Sequence, residues 1–323
     1  MKQNKYNMDK FFDREETCKV LVVGDSMLDK YKFGSSNRLS PEAPVPIFIE
    51  SSEDHRAGGS SNVAVNLSAL GCNATLCSIV GDDIDGNNLS SIISSRGIKS
   101  SLVFSKENPT IIKTRIVSMG QQLLRIDRDT FYTENDTTLL MKMFIDQIPN
   151  YDVVIFSDYN KGTLADVEEM IRISRQLKVK SIVDPKQSDY SVYTGASIIT
   201  PNLREYEHAK ISLGVMNEPD NLIPKIILDK LDIEALLITK GDQGMTLHTN
   251  DSKSFHFPAV AHSVRDVTGA GDTVVATLAR SLCLNIDLIT AVYLSNQAAS
   301  LSVLKNGTSS VELHELQKTL ESD

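Results

Sequence analysis

The chain alternates short, uniformly apolar runs with longer segments whose apolar positions recur every three or four residues. The runs 19-KVLVV-23, 74-ATLCSIV-80, 153-VVIF-156, 181-SIVD-184, 197-SIIT-200 and 235-ALLIT-239 are rich in β-branched residues. They lack in–out alternation, which is the pattern of strands buried on both faces. Between them, 62-NVAVNLSAL-70, 85-DGNNLSSIISSR-96, 164-LADVEEMIRISRQL-177 and 202-NLREYEHAK-210 carry helical periodicity. This rhythm predicts an α/β fold, a mainly parallel sheet with helices on its faces. Beyond about residue 220 helical patterns dominate, as in 271-GDTVVATLARSLCL-284 and 287-DLITAVYLSNQAASLSVL-304.

Two regions break the rhythm. The segments 30-KYKFGSSNRLSPEAPVPIFIE-50 and 110-TIIKTRIVSMGQQLLRID-127 have period-two or aromatic-rich strand patterns with no long helix between strands. They predict a small β lid contributed by about residues 30–50 and 101–127. An exposed β layer of this kind often pairs with another copy, so a homodimer through the lid is expected. Residues 1–16 are polar enough to form a flexible arm, leaving 17–323 as the folded body. No internal repeat or low-complexity linker marks another boundary.

Composition narrows the function classes. With 41% hydrophobic and 23% charged residues over 323 positions, the chain reads as a soluble globular protein of one large or two average domains. Lys and Arg number 33 against 42 Asp and Glu, and the net charge of -9 repels nucleic acid and anionic membranes. Neither is expected as a partner, and any polyanion site must be local. No run approaches the roughly 18 to 20 apolar residues of a membrane span, and the start lacks a signal peptide's apolar core, so a cytoplasmic location is expected. Cys18, Cys72, Cys77 and Cys283 form no Cys-x-x-Cys pair and are read as buried, reduced thiols. The six histidines are scattered and suggest neither a metal site nor a charge-relay hydrolase.

Ligands of open parallel sheets bind at the carboxyl ends of the strands. There the chain places Asp25 and Asp29, Asp158, Asp184 with Lys186, Asn202 with Glu205, and Lys240 with Gly241. Any one of these could merely cap a helix or close a turn; their repetition at one sheet edge argues for a site. The stretch 266-DVTGAGDT-273 suggests the reaction. Gly269, Ala270 and Gly271 can present N–H groups to an anion at a helix start. Asp272, with an ordinary carboxyl pKa of about 3.9, is ionised at neutral pH and can take a proton from an attacking hydroxyl. A second glycine cluster, 58-GGSSNVAVNLSALG-71, opens a helix in the same way, with Asn62 offering both a donor and an acceptor.

Through the Gly-Gly element with Asn62 and the later 266-DVTGAGD-272, the chain resembles the ribokinase-like (phosphofructokinase-B) sugar kinases over nearly its whole length. The stretches 23-VGDSMLDKY-31, 38-RLSPEAPVP-46, 121-QQLLRID-127, 157-SDYNKGTL-164, 184-DPK-186, 200-TPNLRE-205 and 265-RDVTGAGDT-273 are similar to one branch of that family. Its kinases phosphorylate D-glycero-D-manno-heptose 7-phosphate at the anomeric hydroxyl, on the route to the ADP-heptose of lipopolysaccharide core. The resemblance implies a three-layer α/β/α sandwich with a β lid, and ATP and Mg²⁺ as co-substrate and cofactor. It implies that Asp272 is the base, with Gly269, Ala270 and Gly271 as the anion hole. Asn202 and Glu205 would organise phosphates and, through water, Mg²⁺; Lys186, Thr239, Gly241 and Gly244 would lie along the nucleotide. Asp29, Gly58, Gly59, Asn62 and Asp158 would hold the sugar. The sugar's own phosphate would need a cationic site drawn from Arg38, Lys113, Arg115, Arg125, Lys161 and Lys186, with Arg38, Arg115 and Lys161 foremost. Asp266 and the loop 305-KNGTSS-310 occupy the region where many members hold a monovalent cation such as K⁺.

The chain departs from the family pattern at 57-AGGSSN-62, which replaces Pro-Gly-Gly-Ala-Ala-Asn, and at Gln187, where a glycine is expected. Kinases of this branch are often fused to a nucleotidyltransferase, and a chain ending at Asp323 leaves that step to a separate enzyme. Two other readings compete: another sugar kinase of the family, or a non-catalytic sugar or nucleotide sensor of the same fold. A dinucleotide-dependent oxidoreductase is disfavoured because GDSMLD, not Gly-x-Gly-x-x-Gly, follows the first strand.

Overall fold

The computed structural model describes residues 2–13, 15–260, 264–305 and 307–322. Its strands are β1 (Lys19–Gly24), β2 (Ser26–Leu39), β3 (Pro46–Gly59), β4 (Asn73–Gly81), β5 (Lys99–Ser105), β6 (Ile112–Ser118), β7 (Gln121–Arg128), β8 (Val153–Ser157), β9 (Lys180–Asp184), β10 (Ile198–Ile199), β11 (Ala235–Thr239), β12 (Met245–Thr249) and β13 (Ser254–Phe257). Nine of them form one sheet in the order β13-β12-β11-β10-β9-β8-β1-β4-β5. It is parallel from β5 to β11, and β12 and β13 add an antiparallel edge.

The uniform apolar runs are buried on both faces for the expected reason. Val20 and Val22 of β1 face one apolar core, together with residues of helices Ser60–Ala69, Ala270–Cys283 and Leu288–Ser302. Leu21 and Val23 face a second core with residues of helices Glu134–Gln147, Val167–Gln176 and Ile223–Leu231. The chain therefore makes the expected α/β/α layers. After β1 it winds outward through β4 and β5, then returns to the other side of β1 with β8, so the β1/β8 boundary is a topological switch point.

The remaining four strands form a separate sheet in the order β3-β2-β6-β7. This is the lid, with boundaries corrected: its strands span Ser26–Gly59 and Ile112–Arg128, while β5 belongs to the main sheet. Long β2 and β3 pair antiparallel with irregularities after Phe33 and Ser35, and β6 joins β2 in parallel. The antiparallel pair β12–β13 was also hidden by the helical reading of the last hundred residues; 245-MTLHT-249 buries Met245, Thr246 and Leu247 in succession.

Two further expectations are corrected. In place of a flexible arm, Lys2–Phe12 is a helix whose Phe11 is fully buried in the core. The buried Arg280 guanidinium holds it, donating to the Phe11 carbonyl at 3.0 and 2.7 Å and to that of Asp13 at 2.9 Å. Cys18 and Cys283, 265 residues apart in sequence, are joined as a disulfide with a Cα–Cα distance of 5.8 Å. Cys72 and Cys77 are free and buried as expected, and desolvation pushes their thiols up to about 11 and about 12. No helix among the described residues is long and apolar enough to cross a membrane.

Candidate active site

Gly269 has φ 83°, a left-handed conformation that turns the chain into helix Ala270–Cys283. A Cβ there would stand 2.9 Å from Asn62 Nδ2. The helix has no side-chain cap. Ala270 N donates to Val267 O and Thr273 N to Gly269 O; among the described residues no acceptor meets the N–H groups of Gly271 and Asp272. Two unpaired donors at the positive end of a fourteen-residue helix make a ready anion site.

Asp272 is buried beside them. Its Oδ2 accepts from Asn62 Nδ2 at 2.5 Å and its Oδ1 from the Tyr159 hydroxyl at 3.1 Å. Burial raises its carboxyl to about 6 although these hydrogen bonds favour the charge; Asp29 adds to the rise and Lys113 opposes it. A carboxylate poised there is suited to accept a proton near neutral pH.

A cleft of about 260 Å³ collects Gly269, Gly271 and Asp272 with Asp158, Asp184, Lys186, Asn202, Glu205 and Thr239. Each comes from the carboxyl end of a strand or the helix start that follows. Asn202 and Glu205 form a capping box, each side chain accepting the other's backbone N–H at 3.0 and 2.9 Å. Glu205 also accepts from Lys186 Nζ at 2.8 Å. The ordinary capping role and the ligand-facing position thus coincide. Burial pushes Asp184 well above the usual carboxylate range, and the charges of Glu205 and Asp272 add to it.

Several predicted residues are engaged by partners within the chain. Asp158 has both oxygens engaged: Oδ1 by Asn160 N–H at 2.7 Å, Oδ2 by Gln187 Nε2 and the Tyr193 hydroxyl, each at 2.8 Å. Gln187, where a glycine is expected, is thus one of the donors that hold this carboxylate at the cleft wall. Gly58 permits the buried Asp29, since a Cβ on it would meet Asp29 Oδ2 at 2.7 Å. Gly59 turns directly from β3 into helix Ser60–Ala69. Arg115 is not a free clamp: it donates to Asp29 Oδ1 at 2.7 Å in a buried pair. Lys161 pairs with Asp129 at 2.7 Å, Arg125 with Asp127 at 2.8 Å, and Arg38 is exposed near the end of β2. Gly241 and Gly244 do not line the cleft. Gly244 answers a packing need, because a Cβ there would meet Phe257 O at 2.0 Å.

Asp266 accepts from the N–H groups of Thr268 and Gly307, each at 2.9 Å, tying the glycine turn to the 305–310 loop; Asn306 lies outside the described residues. Burial would raise its carboxyl, but these bonds hold it below the usual range.

Sequence reasoning passed over Tyr159 and placed Lys113 only among the candidate ligands of the sugar's phosphate. Lys113 Nζ stands 5.3 Å from the centroid of the Tyr159 ring, and burial lowers its ammonium below the ordinary lysine range. The available signal was position alone: Tyr159 directly follows Asp158 at the end of β8, and Lys113 sits opposite Asp29 in the β2–β6 register.

A family model described as pfkB family carbohydrate kinase matches residues 18–315. The bifunctional protein HldE of Haemophilus influenzae (strain ATCC 51907 / DSM 11121 / KW20 / Rd) is 41% identical over 305 residues, 94% of this chain and 63% of that protein. The protein of the same name from Shewanella sediminis is 43% identical over 307 residues, covering 94% and 64%. The chain thus spans a little under two thirds of these relatives. Among solved structures, phosphofructokinase-2 from Escherichia coli in complex with potassium matches with a TM-score of 0.77 at 17% identity, covering 95% of this chain and 99% of that one. Ribokinase from Thermotoga maritima gives 0.75 at 20%, covering 95% and 100%. At such identities these structures show the fold alone, and it is the ribokinase-like fold expected above.

Proposed function

The chain belongs to the pfkB family of carbohydrate kinases, and on that premise we propose that it transfers the γ-phosphoryl group of ATP to the anomeric hydroxyl of D-glycero-D-manno-heptose 7-phosphate. The observation that carries the reading is the buried carboxylate of Asp272 next to the unpaired Gly271 and Asp272 N–H groups. A base and an anion hole side by side are what phosphoryl transfer to a hydroxyl requires. The sugar is named by the motif stretches in and around the lid, and the 41 to 43% identity to the HldE proteins supports it.

In this reading Asp272 takes the proton from the attacking hydroxyl while the helix start receives the charge gathering on the phosphoryl oxygens. Asn62 orients the carboxylate, and Lys113 and Lys186 add positive charge on the sugar and nucleotide sides. Asp29, with Gly58 and Gly59, forms the sugar wall, and Arg115 holds Asp29 in place. Thr239 lines the nucleotide side of the cleft, and Gly241 and Gly244 follow it just outside the cleft wall.

Among the described residues no three Asp, Glu, His or Cys side chains converge closely enough to grip a bare ion. The crowded carboxylates of Asp184 and Glu205 nevertheless fit a hydrated divalent cation, with Asn202 beside them, which is the usual manner of Mg²⁺ at phosphates. Bound there, Mg²⁺ would neutralise charge on the nucleotide phosphates. Because a relative in fold was solved with potassium, we place a candidate monovalent-cation site at the Asp266 turn and the 305–310 loop. A second copy would pair through the lid, whose Leu124 and Ile126 are more than half exposed. The nucleotidyltransferase step is assigned to another domain or enzyme.

The test is Mg²⁺-dependent ADP release across a sugar panel. Turnover with heptose 7-phosphate and almost none with ribose or fructose 6-phosphate is expected; comparable rates on either of those would make this a kinase of another sugar.

A further inference from the structure

Tyr159 has no role in the reading so far, yet its hydroxyl donates to Asp272 Oδ1 while Asn62 holds Oδ2. The carboxylate is thus gripped at both oxygens, by residues of two separate segments of the chain. Tyr159 is itself fixed. Its backbone N–H donates at 2.8 Å to Asp25 Oδ2, and the fully buried Asp25 carboxylate also takes the N–H groups of Lys161 and Thr163, each at 3.1 Å. Asp25 leaves β1 and Tyr159 leaves β8, the two neighbours at the switch point, where Asp25 N donates to Ser157 O at 3.1 Å. A hydrogen-bonded chain therefore runs from the centre of the sheet through Tyr159 to Asp272. From the lid side, Lys113 stands over the Tyr159 ring.

Resting on the reading of Asp272 as base, we propose that Tyr159 is a positioning residue whose hydroxyl aims the Asp272 carboxylate at the sugar hydroxyl and supports its ionised form. The groups facing Asp272 are Asn62 from helix Ser60–Ala69, Tyr159 after β8, Asp29 from β2, Lys113 from β6 and Asp184 from β9. The two carboxylates oppose its charge and Lys113 favours it. Burial, and then the charge of Asp272, keep the Tyr159 phenol well above its ordinary value, so it remains a protonated donor throughout the working pH range.

Tyr159→Phe keeps the ring under Lys113 and removes only the donor. With heptose 7-phosphate and MgATP, kcat should fall roughly ten- to hundredfold with KM for ATP within about twofold. Losing a bond to the ionised form should move the acid limb of the rate profile up by about one pH unit. Adding Asp272→Asn to Tyr159→Phe should slow the enzyme no further than Asp272→Asn alone, because one residue acts through the other. A readout independent of turnover is the titration of Asp272 followed by NMR of carboxyl-¹³C aspartate, its signal identified by loss in Asp272→Asn; the midpoint should rise in Tyr159→Phe. An unmoved midpoint, or losses that multiply in the double variant, overturns the proposal. Wild-type inactivity on this sugar with a shifted midpoint would instead sink the heptose reading and support the positioning role. Should Tyr159→Phe fail to fold, 3-fluorotyrosine at position 159, a stronger donor, should lower the midpoint, and no change would refute the idea.

Discussion

The strand-end cleft and the lid draw on the same residue types but hold them differently. In and beside the cleft, Asp25, Asp158 and Asp272 are buried and each carboxylate is fixed by backbone N–H groups or uncharged side chains. On the lid, charges mostly meet one another near solvent: Lys32 with Glu50, Arg56 with Asp54 and Arg125 with Asp127, each at 2.8 Å. Burial raises a carboxylate such as Asp272 towards neutral pH while its neutral donors favour the charge, so it can take up a proton there, whereas solvated pairs are screened and contribute about 0 to 1 kcal/mol each. On the proposed function, the reaction would take place in the cleft and the lid would select what reaches it. The buried Asp29–Arg115 pair stands at the junction of the two.

The strongest way to break this division is Asp272→Asn. It should cut kcat by roughly 10² to 10⁴ while melting temperature and ATP binding stay near wild type. A mild loss would move the base elsewhere. The same carboxyl, raised to about 6 mainly by burial, predicts a wild-type rate that climbs with pH through about 6 and then levels. The sign for stability is opposite. The folded state holds this proton more tightly than the unfolded chain does, so the group's contribution falls as pH rises from its ordinary value of 3.8 towards 6 and is flat above.

A smaller effect is expected at the junction. Gly58→Val puts a Cβ 2.7 Å from Asp29 Oδ2 and 2.9 Å from Met27 Cγ, forcing Asp29 away from Arg115. The KM for the sugar should rise roughly tenfold, a change of about 1.4 kcal/mol, with kcat little altered. A loss confined to kcat would instead put Asp29 in the chemistry.

The smallest catalytic effect belongs to the outer lid. Ile126, 54% exposed on β7, lies opposite Thr114, and its neighbour Leu124 lies opposite Ile116. Ile126→Lys should shift sedimentation from dimer to monomer while changing kcat by no more than about threefold. Unchanged assembly would remove the lid patch as the interface; a collapse of kcat would mean that the lid completes the catalytic centre.

Much of this was decided locally, and the sequence carried it. Buried strands show as continuous β-branched runs because both faces meet apolar layers. The Asn202–Glu205 capping box and the Gly269 turn are contacts within four residues of chain, so spacing alone reveals them. The resemblance of whole motifs then supplied the family. What only the tertiary structure decided joins distant segments. Tyr159 reaches Asp272 because β8 lies at the switch point beside the helix that follows the glycine turn. Arg115 is spent on Asp29 because β6 pairs with β2, a register no composition reveals. The opening segment is ordered because Arg280 captures its carbonyls, and Cys18 finds Cys283 across 265 residues. Periodicity and turn chemistry report forces acting within a few residues, whereas the partner of a buried charge depends on how separate strands and helices come to lie side by side.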